Sequence, residues 1–231
     1  MKTKLSFGTA LAFLFAVAMV ASDAYAQTSP VGTWEVLFSA PSKGLGRFTF
    51  NANNTFTGYG LTAGSGEVFE VEGNWGFDDM GNVAATFGGT GQFTARVKPG
   101  GTAIAGRGVT NGGNPLAFKG APAAEGPNLA GTWNATGRGF TETWTITATG
   151  SPGLFDVTGN GMAGKTTWTL EGQILANSRG VIGATINYVE NQTTDLHAML
   201  AGKFNARTGA MAFKGVEDDG TKFAEVLTRQ N

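Results

Sequence analysis

The sequence predicts an all-β protein made of two tandem, duplicated antiparallel meander β-barrels, each with about eight short strands. The composition supports this fold class because 37 glycines and 17 phenylalanines stand against 3 tyrosines, and glycine disfavours helices whereas phenylalanine favours strands. Apolar and polar residues alternate along most segments, which is the period of a strand with one buried face. The chain also repeats itself once, so the same set of strands is expected twice.

The N-terminal segment predicts a secretory signal peptide over residues 1–26. Lys2 and Lys4 precede an apolar run from Ala10 to Ala21, and the small-residue sequence Ala24-Tyr25-Ala26 follows. This is the three-part form of such a leader, and the apolar run is shorter than the roughly 20 residues that span a bilayer. We therefore expect the leader to be cleaved and the protein to be periplasmic or extracellular.

The charge and the cysteine content exclude several classes of protein. The formal net charge is −1, and loss of the two lysines and one aspartate of the leader lowers it to −2. A nucleic-acid partner is therefore not expected, because phosphate binding needs a concentrated basic surface. The chain has no cysteine, so neither a lipoprotein anchor nor a disulfide framework is available, and the fold must be held by its core.

An internal duplication predicts the domain organisation. Gly32-Thr33-Trp34 recurs 99 residues later as Gly131-Thr132-Trp133. Glu72-Gly73 recurs at the same shift as Glu171-Gly172. The segment between the copies is rich in proline, alanine and glycine, which is typical of a linker. We therefore predict a first barrel over residues 27–120, a linker over 121–127 and a second barrel over 128–231.

The first copy contains eight segments with strand character. In the opening segment Trp34, Val36 and Phe38 share one face, and the later segments alternate in the same way. The predicted strands lie near residues 33–39, 47–51, 55–61, 68–77, 83–88, 92–98, 102–110 and 115–120. Ten aromatic residues on the presumed inner face are expected to fill this barrel: Trp34, Phe38, Phe48, Phe50, Phe69, Trp75, Phe77, Phe87, Phe93 and Phe118.

The second copy gives eight further strands joined by short links with turn chemistry, such as Asp218-Asp219-Gly220. Short links favour antiparallel neighbours, and closure into a barrel is favoured over a sandwich because it leaves no exposed edge. A sandwich remains the alternative, as does one fused sheet instead of two separate barrels. The predicted strands lie near residues 132–137, 142–149, 154–160, 166–175, 180–189, 193–204, 209–216 and 222–229.

The Gly-Thr-Trp opening strand of each copy, followed by a meander, resembles the calycins, that is, the avidins and lipocalins, whose first strand carries a Gly-x-Trp motif. The stretch "GTWNATG" from Gly131 is similar to the avidin opening, and "TTWTLEGQ" from Thr166 is similar to a later avidin stretch. The resemblance implies a barrel that can hold a small molecule. The Thr-Asp-Tyr motif of lipocalins is missing, and Asn134 stands one place early for the biotin-binding asparagine of avidins, so biotin binding is not carried over.

Few residues offer catalytic or metal-binding chemistry. His197 is the only histidine and is expected on the wetter or less tightly packed face of its strand. Zinc and copper sites are not expected, because the chain has no second histidine and no cysteine. No partner for a catalytic triad can be named. The pairs Asp78-Asp79 and Asp218-Asp219 adjoin turns, where aspartate is favoured for local hydrogen bonds and not as a calcium ligand. Glu72 and Glu171 recur at equivalent points of the two copies and are expected to face outward on strands, the alternative being a carboxylate pair at a pseudo-symmetric site. We predict a protein that is not an enzyme and has no metal or cofactor.

The second copy is the better candidate for a hollow interior. Its inward aromatic residues are interspersed with alanine and glycine, and Glu142 lies two places before Trp144 and therefore on the same strand face. Six residues form the predicted ligand site: Trp133, Asn134, Glu142, Trp144, Trp168 and Gln173.

Three functions are consistent with these patterns. The first is an exported protein that binds a small apolar or amphipathic ligand. The second is a structural or cell-surface interaction module with solid cores, whose partner is a cell-surface polymer. The third is an outer-membrane β-barrel in which the apolar face points to lipid, although many predicted strands are shorter than the roughly 9–11 residues that such strands need.

Overall fold

A computed structural model describes residues 28–63, 65–137, 139–190 and 194–230. The predicted signal peptide lies outside the described residues. In the described part of the chain the regular elements are sixteen β-strands and one short 3₁₀ turn, Pro99–Gly101. No helix in these ranges is long and apolar enough to cross a membrane.

The first eight strands form a closed antiparallel meander barrel, in which each strand pairs with its neighbours in sequence and β1 also pairs with β8. Trp34 lies opposite Phe48 on β2 and opposite Pro122 on β8, so the sheet has no free edge. The strands are β1 Gly32–Ala40, β2 Gly44–Phe50, β3 Thr55–Thr62, β4 Phe69–Phe77, β5 Val83–Phe87, β6 Gly91–Val97, β7 Ile104–Val109 and β8 Pro115–Pro122.

The second eight strands repeat this topology and close through a β9–β16 pair. Trp133 lies opposite Trp144 on β10 and opposite Arg229 on β16. The strands are β9 Gly131–Gly137, β10 Phe140–Ala148, β11 Leu154–Ala163, β12 Thr166–Ala176, β13 Val181–Glu190, β14 Thr194–Asn205, β15 Ala210–Glu217 and β16 Lys222–Arg229. The structure confirms two closed eight-stranded meander barrels, and it excludes the sandwich and the single fused sheet. The segment between the barrels that belongs to no strand spans residues 123–130.

The interior of the first barrel is packed with phenyl rings. Phe48 lies among Phe38, Phe56, Phe93 and Phe118, with ring centroids 5.3–5.9 Å apart, within the range of favourable aromatic pairs. These residues belong to one buried cluster, and the second barrel contains another. The apolar side chains of both copies thus point inward, opposite to the direction that the outer-membrane alternative requires.

The inner-face prediction for the aromatic residues fails at one position. Phe77 is 37% exposed, because it is the last residue of β4, where the barrel wall ends and little remains to cover the ring. It lies at the end of the barrel opposite to the loops that follow β1, β3, β5 and β7.

The Gly-Thr-Trp motif closes one end of each barrel. Gly32 and Gly131 have φ values of +122° and +137°, a conformation that side-chain-bearing residues rarely adopt. The Trp34 indole N–H donates to the Pro30 carbonyl over 2.6 Å, and the Trp133 indole N–H donates to the Leu129 carbonyl over 2.8 Å. The motif therefore fixes the chain as it enters the barrel.

Arg229 reinforces this closed end in the second barrel. Its guanidinium lies 4.9 Å from the centre of the Trp133 ring system and donates to the carbonyls of Asn128 and Ala130. The first barrel has Pro122 at the equivalent place on its last strand, so it lacks this contact.

The two barrels pack against each other through their outer faces. Leu45 and Leu61 of the first barrel form a buried cluster with Leu154 and Leu175 of the second. Beside this cluster lies a buried ion pair between Arg47 and Glu35, with an N–O distance of 2.9 Å.

The second barrel completes this polar contact through the turn between β12 and β13. The Ser178 backbone N–H and hydroxyl both donate to the Glu35 carboxylate, over 2.7 and 2.5 Å. Tyr59 adds a further link by donating to the Pro152 carbonyl over 2.6 Å. The interface thus combines an apolar centre with directional hydrogen bonds, which fixes the orientation of one barrel against the other.

Candidate functional site

The second barrel is open at the end opposite to Trp133, where a cavity of about 730 Å³ forms its mouth. The turns that join β11 to β12 and β15 to β16 lie at this end, together with the last residue of β9, Gly137, and the last residue of β13, Glu190. The wall combines aromatic and apolar side chains with glutamates: Phe140, Glu142, Trp168, Tyr188, Glu190, Leu196, Glu217 and Phe223. A concave apolar site with a few polar groups is the usual form of a small-molecule site.

Glycine residues keep this mouth open. Three aromatic side chains each lie directly opposite a glycine on the neighbouring strand, in the pairs Phe140 with Gly137, Trp168 with Gly161, and Phe223 with Gly215. A Cβ atom on any of these glycines would come within 2.1–2.3 Å of the ring, so only glycine permits the ring to lie back against the wall. The rings therefore line the cavity and do not fill it.

Glu142 is the polar centre of the site. Its side chain points into the barrel from β10 and is only 6% exposed. The Trp144 indole N–H donates to one carboxylate oxygen over 2.5 Å, and the Trp168 indole N–H donates to the other over 2.9 Å. Burial raises the pKa of Glu142, and the two indole hydrogen bonds act in the opposite direction.

Glu225 lies nearby on β16 and is 2% exposed. Both of its carboxyl oxygens are buried and accept no N–H group of the described residues, and the side chain shares a hydrogen bond with the Glu142 carboxyl group. Burial, followed by repulsion from Glu142, raises the pKa of Glu225 to about 8, so this carboxyl group is largely protonated at neutral pH. Strand β9 separates the two glutamates and offers only Ala135 and Gly137 on its inner face at this level, which leaves room for both side chains.

Tyr188 completes the polar group from β13. It is buried, and burial together with the negative charges of Glu142, Glu225 and Glu217 raises the pKa of its hydroxyl. The hydroxyl therefore stays protonated and available as a donor. Glu217, nearer the rim, also has a raised pKa because of partial burial and the neighbouring Asp219 and Glu190 carboxylates.

The structure brings together three of the six predicted site residues. Glu142, Trp144 and Trp168 form one hydrogen-bonded group, and the first and last of them line the cavity. Trp133 is inside the same barrel but belongs to its closed end. The second-copy hollow is therefore present at the end away from the Gly-Thr-Trp motif.

Asn134 and Gln173 point the other way and require a correction. Asn134 lies on the outer face of β9, where it accepts a hydrogen bond from the Gln230 side chain. Gln173 lies on the outer face of β12 and donates to Asp156 over 3.1 Å. The reason is strand alternation: both residues are adjacent in sequence to buried inward residues, Trp133 and Ile174, so they must face outward.

Sequence reasoning missed Tyr188 and Glu225, although the signal for both was present. Tyr188 continues the inward series of Ile182, Ala184 and Ile186. Glu225 stands between Phe223 and Leu227 at a spacing of two. A charged residue in the apolar phase of a strand is the pattern that reveals such a site.

His197 lies on the less buried face of β14, as the sequence predicts, because its side chain is 23% exposed whereas Ala198 and Leu200 on the other face are buried. Its Nε2 atom lies 2.6 Å from the Gly66 carbonyl of the first barrel and 2.7 Å from the Thr185 hydroxyl. Its Nδ1 atom lies 3.4 Å from the Asp218 carboxylate. The first barrel covers part of the outer face of β14 here, so His197 lies at the edge of the interface.

The acidic residues that the sequence analysis considered lie in a turn or on the outer faces of the barrels. The Asp78 carboxylate accepts hydrogen bonds from the backbone N–H groups of Met80 and Asn82, which is turn chemistry. Glu72 and Glu171 are exposed on the outer faces of different barrels. No group of three or more histidine, aspartate or glutamate side chains among the described residues could hold a metal ion.

The first barrel has a mouth of its own at the equivalent end. This cavity has a volume of about 620 Å³, and its wall includes Phe38, Phe69 and Phe87 with hydroxyl and amide groups from Ser65 and Asn111. Phe69 occupies the position that Trp168 has in the second barrel. The two mouths share their location but differ in chemistry, because the described residues that line the first include a single glutamate, Glu70, and no carboxyl pair.

Comparison with known proteins identifies no family for this chain. No known protein family matches this chain, and no curated protein matches it. Similar solved structures include a redesigned β-barrel, mFAP1, bound to DFHBI, which is 22% identical over 44% of this chain and 94% of that chain, with a TM-score of 0.38. Another is a DUF3598-family protein of unknown function from Nostoc punctiforme PCC 73102, 16% identical over 85% of this chain and 94% of that chain, with a TM-score of 0.25. The fold assignment rests on the strand pairing described above.

Proposed function

We propose that this protein is an exported, non-enzymatic binding protein that holds a small apolar or amphipathic ligand in the mouth of its second barrel. One observation carries the proposal: the mouth is a cavity of about 730 Å³ whose aromatic side chains lie back against glycines. An eight-stranded barrel that served only as a scaffold would gain stability by filling this space. The side chains here preserve the space instead.

The distribution of polarity fits an amphipathic molecule. Phe140, Trp168 and Phe223 form the apolar wall near the rim, and the Glu142, Tyr188 and Glu225 side chains supply polar groups deeper in the barrel. An apolar body would lie against the rings, and a polar end would reach the carboxyl groups. Such a division, with many apolar contacts and few polar ones, is how small-molecule sites combine affinity with orientation.

The neutral fluorescent probe N-phenyl-1-naphthylamine tests this site. We expect a saturable rise in its emission with the wild-type protein, together with quenching of tryptophan emission. The W168A variant removes one wall of the mouth and is expected to weaken binding at least tenfold, whereas W168F keeps a ring and should weaken it less. F77A removes an exposed ring at the far end of the first barrel and serves as the matched control.

Two outcomes would overturn the proposal. Unchanged affinity in W168A, with far-ultraviolet circular dichroism showing an intact fold, would place the probe elsewhere. The absence of any saturable change in the wild-type protein would favour the structural or cell-surface interaction module, in which the outer faces of the barrels carry the function.

A further inference from the structure

The charged residues around the second-barrel mouth are sorted by sign. Strand alternation places four glutamates on inward-facing positions: Glu142, Glu190, Glu217 and Glu225. The two lysines that border the cavity occupy outward-facing positions, since Lys214 lies between the inward Phe213 and Gly215, and Lys222 precedes the inward Phe223. A molecule inside the mouth is therefore surrounded by carboxyl groups, and the ammonium groups of the two lysines lie outside the barrel wall.

Glu225 lies beside Glu142, which borders the cavity, and adds a second inward carboxyl group at this level. Its two oxygens are buried and accept no N–H group of the described residues, and its side chain shares a hydrogen bond with the Glu142 carboxyl group, whose oxygens also accept indole N–H groups. Two carboxyl groups this close do not both ionise unless a positive charge lies nearby. A ligand with a positive charge at this level would stabilise the ionised pair.

The aromatic side chains of the mouth provide a second feature suited to a cation. Phe140, Trp168, Tyr188 and Phe223 all border the cavity, and the faces of aromatic rings attract organic cations, with tryptophan the strongest. The combination of several rings with buried carboxyl groups is the chemistry that recognises substituted ammonium groups. An apolar tail would extend along the wall toward Leu196 and Phe140.

We infer that the second-barrel mouth is specific for an organic cation, a substituted ammonium group carried on an apolar tail, with Glu142 facing the charge and Glu225 beside it. This inference rests on the proposed function, because it names the ligand class of the same cavity. It assigns no metal, since the carboxyl groups do not gather into a metal site in the described residues.

Cation binding at this site is linked to proton release. The pKa of Glu225 is raised to about 8 by burial and by Glu142, so a bound cation must displace its proton near neutral pH. The other titratable or charged groups around the mouth are Glu142 on β10, Tyr188 and Glu190 on β13, Lys214 and Glu217 on β15, and Lys222 on β16. A permanently charged ligand should therefore bind more tightly as the pH rises from 6 to 9.

Three probes with the same ten-carbon tail separate charge from apolar contact: decyltrimethylammonium, 1-decanol and decanoate, each below its micelle-forming concentration. Affinity is measured by displacement of N-phenyl-1-naphthylamine. We expect decyltrimethylammonium to bind at least tenfold more tightly than 1-decanol at pH 8, and decanoate to bind most weakly. We also expect the affinity for the cation to rise several-fold between pH 6 and pH 9 while that for 1-decanol stays constant.

Two variants test whether Glu225 causes the preference for the cation and its pH dependence. E225Q is expected to lose most of the preference for the cation and its pH dependence while keeping the affinity for 1-decanol, and E171Q, an exposed glutamate on the outside of β12, is the matched control. Equal or tighter binding of 1-decanol, or a cation preference that survives in E225Q, would overturn the inference and leave the proposed function standing. Failure of all four compounds, including the fluorescent probe, would overturn the proposed function itself.

Discussion

A carboxyl group that folding buries beside a second carboxyl group is driven to its neutral form, and Glu225, next to Glu142, is in this situation. The folded-state pKa is raised from 4.5 to about 8, so the folded protein binds this proton more tightly than the unfolded chain does. The associated stability is fully present below pH 4.5 and is lost as the pH rises toward 8. Each pH unit within this window lowers the free energy of unfolding by up to about 1.4 kcal/mol.

The E225Q variant tests this dependence. Glutamine has nearly the same shape and does not ionise, so the free energy of unfolding of E225Q should vary less between pH 5 and pH 8 than that of the wild type. The measurement is the urea midpoint at each pH, with E171Q as the control. Equal pH profiles for E225Q and the wild type would show that Glu225 is ionised in the folded protein at low cost.

Glu142 and Glu225 show which site residues can be predicted from the sequence and which cannot. Glu142 was assigned to the site because it shares a strand face with Trp144, and that reasoning needs only alternation within one strand. Glu225 lies 83 positions later, and its nearness to Glu142 depends on β9 pairing with both β10 and β16. No local pattern contains that information, because closure of the barrel creates the contact.

At the scale of strands, cross-strand pairs of glycine with an aromatic residue determine the shape of the mouth. Gly161 lies opposite Trp168, and a Cβ atom at position 161 would lie 2.3 Å from the indole nitrogen and 2.7 Å from the Cγ atom of Glu142. The glycine thus makes room for both partners of the Trp168–Glu142 hydrogen bond. The frequent glycines in these strands are part of the site and not only of the turns.

The G161A variant tests this role. The added methyl group should push the Trp168 ring from the wall, lengthen its hydrogen bond to Glu142 and destabilise the fold by about 1–3 kcal/mol. Binding of N-phenyl-1-naphthylamine should weaken at the same time. A methyl group added at Gly76 would meet no atom within 4 Å, so G76A is the control and should leave binding unchanged. Similar behaviour of the two variants would contradict the proposed packing role.

Strand positions themselves follow closely from the sequence. The predicted strands at 154–160 and 166–175 correspond to β11, Leu154–Ala163, and β12, Thr166–Ala176. Alternation and turn residues act over a few positions, so each strand and turn could be located from its own neighbourhood. The register between strands could not be located in this way, and register decides which side chains meet.

At the scale of the whole molecule, the outer faces of the two barrels form a specific contact. Glu35 joins Arg47 of its own barrel to Ser178 of the other, and Leu61 and Leu175 pack beside them. Breaking a buried ion pair by removing one partner is strongly unfavourable because the other charge stays buried. The barrels should therefore unfold as a coupled pair.

The E35A variant tests this coupling. It leaves Arg47 buried without its carboxylate and removes the acceptor of both Ser178 donors, so we expect a loss of about 3–5 kcal/mol. Differential scanning calorimetry should resolve two transitions in E35A where the wild type shows one. E72A, which removes an exposed glutamate on the outside of β4, is the control, and a single unshifted transition in E35A would show that the contact adds nothing to stability.

The sequence by itself determined the all-β class, the duplication, the strand positions and the aromatic cores, because these depend on residue type and on a period of two along the chain. Only the tertiary structure decided that the Gly-Thr-Trp motif closes one end while the other stays open, and that Glu142, Tyr188 and Glu225 meet inside the second barrel. It also decided that His197 and Glu35 lie between the barrels. These contacts join residues far apart in the chain, and they exist only because closure and packing fix strand register and the orientation of one barrel on the other.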